Sequence, residues 1–129
     1  MKKIVVKKSN AKDKRQSEDI KHPVFCFRYL HKKYHIDKCE DDEKLKLLER
    51  IVKLCSMTWQ EIEYNGRHAF GSEKINLDVI NLDLPDEIAG KVPFFLALRF
   101  DGLKPFVGYR NRFVFHVLYV DPKFNLYEH

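Results

Sequence analysis

FFLALRFDGLKPFVGYRNRFVFHVLYV, residues 94–120, decides the fold. It is three short apolar runs broken by Asp101-Gly102 and by Asn111-Arg112. Runs of Phe, Val, Leu and Tyr of this length, bounded by turn residues, predict strands joined as hairpins, over 94–100, 105–110 and 113–120. Arg99, Arg110 and His116 sit within or at the ends of those runs, and the chain closes on Tyr127-Glu128-His129. Cations and imidazoles on a sheet this apolar need a partner or a groove, and they suggest a site built to meet an anion. The duller alternative is structural: Arg99 or Arg110 bonded to Asp101 or Asp121, with His116 satisfied in the core.

Working outward, residues 24–30 (VFCFRYL) alternate aromatics and read as a further strand, and the polar stretch 31–41 reads as a connection. A helix is predicted over 42–56, capped by Asp41 or Asp42. Leu45, Leu48, Val52 and Cys55 form its apolar stripe, flanked by Leu47, Ile51 and Leu54. Thr58 and Glu61 make a capping box that opens a second, short helix through Tyr64, with Asn65-Gly66 as its stop. Residues 67–92 carry alternation around 75–84 that slips phase at 79–80, and Pro85-Asp86-Glu87 suits one helical turn. The expectation is therefore α+β: a small, twisted, mainly antiparallel sheet with two helices packed on one face, in the order β-α-α-β-β-β.

A chain of 129 residues predicts one domain large enough to bury a core without disulfides or metal. Its formal charge of +5 is unevenly placed: residues 1–22 hold eight Lys and Arg against three acids, which accounts for all of it. This predicts a basic, flexible tail over 1–22, with Ile4-Val6 as a possible short strand, and a folded domain over 23–129. No apolar run reaches membrane-spanning length, and Ile4-Val5-Val6 is too short for a signal-peptide core, so a cytoplasmic protein is expected. Cys26, Cys39 and Cys55 are odd in number, form no CxxC pair, and read as free thiols.

Cys26, His31, His35 and Cys39 are all competent zinc ligands, but their spacing matches no standard finger and Cys26 falls in an apolar run. No metal and no cofactor are expected. Arg67-His68, then Gly71, then Glu73-Lys74, form a polar knot on a loop, and Arg67, His68 and Lys74 are candidates for phosphate or substrate contact together with Tyr109. There is no P-loop, GxGxxG, HExxH or catalytic-triad order, which lowers the odds of nucleotide-cofactor, metalloprotease and serine-hydrolase chemistry.

The element order over residues 24–129, with Arg99 in FFLALRFDG, Arg110 in VGYRNRF, and Tyr127 and His129 at the end, resembles the RelE/ParE toxin superfamily. The resemblance implies two helices on one face of a twisted sheet. It also implies a metal-independent mRNA endoribonuclease held in check by a cognate antitoxin, with RNA or ribosome-bound mRNA as substrate. Arg99 and Arg110 would then grip the phosphate, His116 or His129 would move protons, and Tyr127 would position a base or donate a proton. Residues 65–92 are longer than that family's usual link, and members that target DNA gyrase share the fold without the catalytic residues. The competing expectation is a non-catalytic module of a phage or mobile element that binds nucleic acid or protein.

Overall fold

The computed structural model describes residues 18–69 and 72–128. Five strands form one mixed sheet: β1 (Val24–Cys26), β2 (Glu73–Ile75), β3 (Phe95–Asp101), β4 (Lys104–Asn111) and β5 (Val114–Val120). Their spatial order is β1-β5-β4-β3-β2. The meander β3–β4–β5 is antiparallel, β2 adds antiparallel to β3, and β1 adds parallel to β5. The two expected turns are where the sequence put them. Gly102 (φ 59°) and Arg112 (φ 60°) both take the left-handed conformation that tight hairpins use.

Helices α1 (Asp41–Cys55) and α2 (Trp59–Ala69) supply the core on one face. Leu47, Leu54, Trp59 and Ile62 pack there against Leu96, Leu98, Phe100, Phe106, Phe115 and Val117. Among the described residues, no α-helix covers the other face. Ile80, Ile88 and Val92, from the β2-to-β3 connection, join Ile75 at the end of β2 and Leu126 near the C-terminus in packing with Phe95, Ala97, Val107 and Tyr119. Residues 76–92 are thus a lid of apolar anchors. Leu77–Val79 is a single 3-10 turn, and the expected turn after Pro85 forms, with Ile88 and Ala89 donating to the Pro85 carbonyl.

Four expectations are corrected. The Leu45–Leu48–Val52 stripe of α1 faces outward, each residue 56–63% exposed, while Leu47 and Leu54 are buried. The helix is rolled by Glu43, buried at 7% and bonded to Lys104 of β4 at 2.7 Å. A hydrogen-bonded charge reaching from the sheet fixes which side turns inward more firmly than a leucine count does. The N-cap of α1 is Glu40, in a reciprocal capping box with Glu43, rather than Asp41 or Asp42. Helix α2 opens on the Thr58–Glu61 box as expected but continues through Asn65-Gly66 to Ala69. A helical Gly costs only about 1 kcal/mol relative to Ala and stops a helix only where the chain turns left-handed. Finally, residues 18–22 belong to the fold. Asp19 bonds Arg110, Glu18 pairs with Arg112, and Trp59 donates its backbone N–H to the Lys21 carbonyl. Residues 1–17, including Ile4-Val6, lie outside the described residues.

One irregularity in β4–β5 sets the faces of the site. The register shifts between Val107 and Gly108, so Leu118 is an extra residue between Val117 and Tyr119. His116 and Leu118 therefore face the lid, but Val120 faces the helices, where unbroken alternation would have kept all three together. A Cβ at Gly108 would collide with the His116 carbonyl oxygen, which explains glycine there.

Candidate functional site

Pleating places Arg99 and Arg110 on opposite faces of the sheet. Arg110 stands opposite Phe115, on the helix side. Its guanidinium lies 4.5 Å above the Trp59 ring, bonds Asp19 at 2.5 Å and Glu63 at 3.2 Å, and donates Nε to the Arg112 carbonyl. The two arginines cannot grip one phosphate, so the pairing expected from sequence is corrected. Arg110 is an architectural clamp joining the β4–β5 hairpin, α2 and the 18–22 segment. Neither arginine uses Asp101 or Asp121. Asp101 pairs with Lys46 and Lys104, and Asp121, fully buried, accepts the backbone N–H groups of Asn125 and Leu126 at 3.0 Å.

Arg99 is on the lid face. It donates Nη1 to the Leu103 carbonyl at 3.0 Å and Nη2 to the Glu73 carboxylate at 3.2 Å. Register explains the pair: Glu73 stands opposite Ala97, one pleat from Arg99 on the same face. Arg99 also lines an open cavity of about 910 Å³ with Val79, Leu103, Asn125, Tyr127 and Glu128. Asp121 steers the C-terminal segment into this cavity by holding the turn at 125–126. The buried Tyr127 hydroxyl lies in the field of Arg99. Burial pushes its pKa above the ordinary tyrosine value and outweighs the opposing pull of Arg99, so the hydroxyl stays protonated at neutral pH.

His116 is elsewhere on the same face. It pairs across β4 with Tyr109, its ring stacked 5.0 Å away at 15°, and Tyr29 lies 5.6 Å from it. Its Nδ1 is buried without a hydrogen-bond partner among the described residues. Burial lowers its pKa, so it is neutral at pH 7. Arg99 and His116 are two strands and about four residues apart in register, a separation on the order of 15 Å. The structure therefore brings Arg99 and Tyr127 together, brings His116 and Tyr109 together, and keeps the two pairs apart. Lys74 stands opposite Leu96, on the other face from Arg99, with Nζ 4.7 Å from the Phe94 ring centroid. Arg67 and His68 fall within α2, not on a loop, and their side chains are not among those described. His129 also lies outside the described residues, directly after Glu128 of the cavity wall.

Sequence reasoning missed Glu73 as a site residue, naming it only beside Lys74. The available signal was strand parity: in a strand at 73–75, Glu73 and Ile75 share a face, and Ile75 must be the buried one. It also missed a second cavity, of about 570 Å³, between the 28–33 turn and residues 83–87. Of the four weighed metal ligands, Cys39 is buried on the helix side, where burial pushes its thiol up to about 11. His31 caps the 32–34 turn by accepting the Lys33 N–H on Nδ1, His35 is exposed beside Asp37, and Cys26 pairs with His116 in the sheet register. Among the described residues, no group of three or more His, Cys, Asp or Glu could hold a metal ion. No described helix is long and apolar enough to cross a membrane. In comparisons with known proteins, the chain matches no protein-family model, no curated protein and no solved structure.

Proposed function

We propose that the protein is a metal-independent endoribonuclease of the RelE-like toxin kind, working at the Arg99–Tyr127 cavity with Glu73. One observation carries this reading. Arg99 from mid-sheet and Tyr127 from the chain end meet at one open cavity, and a carboxylate stands at the arginine. In the proposed step Glu73 takes the proton from an RNA 2′-hydroxyl as that oxygen bonds phosphorus. The P–O5′ bond breaks, and the 5′-oxygen leaves with a proton from Tyr127, giving a 2′,3′-cyclic phosphate and a 5′-hydroxyl. Arg99 carries the charge that develops on the phosphorane oxygens. The alternative donor is His129, and Tyr127→Phe against His129→Ala tells the two apart. Cleavage of a labelled RNA by the purified protein, with cyclic-phosphate ends and loss of activity in Arg99→Ala and Glu73→Gln, is the expected result. Intact RNA with the folded wild type defeats it. As in other such toxins, an antitoxin that covers this cavity is the partner the reading calls for.

The second reading is a binding module without catalysis. It is favoured by the way Arg99 spends two hydrogen bonds on Glu73 and Leu103, as a structural ion pair does. On that reading RNA binds, its affinity falls with salt, and no bond is cut.

A further inference from the structure

The 28–33 turn and residues 83–87 face each other across the smaller cavity, with Tyr29 and Tyr119 in its lining. One wall is cationic: Arg28, Lys32 and Lys33 come from six consecutive residues. The other wall is anionic, with Asp83 and Glu87. Among the described residues, Lys32, Lys33, Asp83 and Glu87 form no ion pairs, so opposite charges line one cavity without meeting. His31 adds no charge at neutral pH, because burial, and then Lys33, lower its pKa; its ring instead lies 5.8 Å from Tyr119. The cavity thus combines an aromatic side, a cationic wall and a wall that carries two carboxylates.

We propose that this cavity is a guanine-nucleotide subsite for single-stranded RNA. Lys32 and Lys33 hold the backbone phosphate, an aromatic ring stacks the base, and Asp83 or Glu87 accepts from the base edge. Unpaired bases are read in this way, by stacking and by hydrogen bonds to an exposed edge. A carboxylate has two acceptor oxygens side by side. Guanine alone of the four bases offers two parallel donors, N1–H and the N2 amino group, on its pairing edge. Tyr34 lies between lining residues of the two cavities: its hydroxyl donates to the Asn125 carbonyl at 3.3 Å and its ring lies edge-on to Tyr119. The proposal rests on RNA being the ligand, and not on its being cleaved.

The test uses 2′-O-methyl pentanucleotides, which attack by the 2′-oxygen cannot cleave, bound to the full chain and followed by fluorescence anisotropy. The set is UUGUU, UUAUU, UUCUU, UUUUU and UUGUU with inosine for guanine. UUGUU is expected to bind about tenfold tighter than the A, C and U versions, with inosine between, the range that one bidentate base contact supplies. Asp83→Asn with Glu87→Gln erases that preference. Lys32→Glu with Lys33→Glu, at exposed positions that leave the fold intact, weakens all five at least tenfold and flattens the salt dependence. Arg99→Ala leaves the preference for UUGUU over the other four in place. Equal affinity across the five oligonucleotides, or tight UUGUU binding that survives the double lysine reversal, overturns the proposal. Failure to cut ordinary RNA, with guanine-selective binding intact, breaks the nuclease reading and leaves this one standing.

Discussion

The two faces of the sheet treat the same residue type in opposite ways. On the helix side Arg110 is enclosed: an indole below, two carboxylates beside it and a carbonyl on Nε. On the lid side Arg99 has one carboxylate and one carbonyl, and opens onto a cavity. The difference is one of covering material. Helices bring a dense set of side chains to a sheet, and those that cannot be apolar complete ion pairs around any cation they trap. A lid made of single anchors, Ile80, Ile88 and Val92, seals only where each anchor lands and leaves cavities at its margins. Function is therefore sought at the edges of the irregular layer.

The largest expected effect tests the enclosed face. Trp59 is fully buried, stacks under Arg110 and donates Nε1–H to the Phe113 carbonyl at 2.8 Å. Trp59→Ala should cost about 3–5 kcal/mol in denaturant unfolding. A loss under about 1 kcal/mol would mean that the helix face is not the packed one. Next comes the contrast between the arginines. On the proposed nuclease reading, Arg99→Ala should lower RNA cleavage by about 10²–10³ with little change in melting, since Arg99 lies at a cavity margin. Arg110→Ala should do the reverse, destabilising by roughly 1–3 kcal/mol through the stranded carboxylates while cleavage per folded molecule persists. If both variants behave alike, the two faces are not functionally distinct.

Two pH effects are smaller and sharpen the comparison from the lid side. Tyr119 is buried under the lid, and burial pushes its pKa from 10 to about 12. A tyrosine pKa raised by folding contributes stability that is full below pH 10 and is lost as pH rises toward 12, here on the order of 2–3 kcal/mol. Tyr119→Phe should flatten that part of the curve. His116 and His31 have pKa values lowered by burial, so their contribution is present above pH 6.5 and declines as pH falls below it. His116→Gln should remove part of the acid-side decline. An unchanged slope would place His116 in water rather than between Tyr109 and Tyr29.

Much of the fold was legible because it is written locally. The two hairpin turns, the capping box at Thr58 and the turn after Pro85 each rest on a few adjacent residues, and each is found. What was not legible depends on partners far along the chain. The roll of α1 is set by Lys104 reaching Glu43, and no leucine pattern within the helix reports it. The lid reads as a failed strand because its apolar residues are anchors, spaced to fit the sheet beneath rather than a ladder. For the candidate site, residue types were legible and neighbourhoods were not. Arg99 and Tyr127 line one cavity, a meeting that the local sequence around neither residue reports. Arg110 was misplaced by one pleat, because parity relative to the helix layer is invisible until the layer is known. His116 was separated from Val120 by a single inserted residue at Leu118.

The parallel strand β1 has a consequence for how the chain assembles and opens. The meander β3–β4–β5 joins neighbours in sequence, so its hairpins close short loops and can form early. β1 is three residues long and pairs Val24–Cys26 with Val114–His116, across most of the chain. That closure carries the largest loop entropy of any strand pairing in the sheet and returns little ladder, which makes β1 the natural last strand to dock and the first to leave. Amide hydrogens of Val24–Cys26 should then exchange through partial opening while those of β4 wait for global unfolding. Each such opening bares the Val114–His116 edge and lifts the stretch leading to Tyr29 and Lys33, so the rim of the smaller cavity breathes at a rate set by that three-residue pairing.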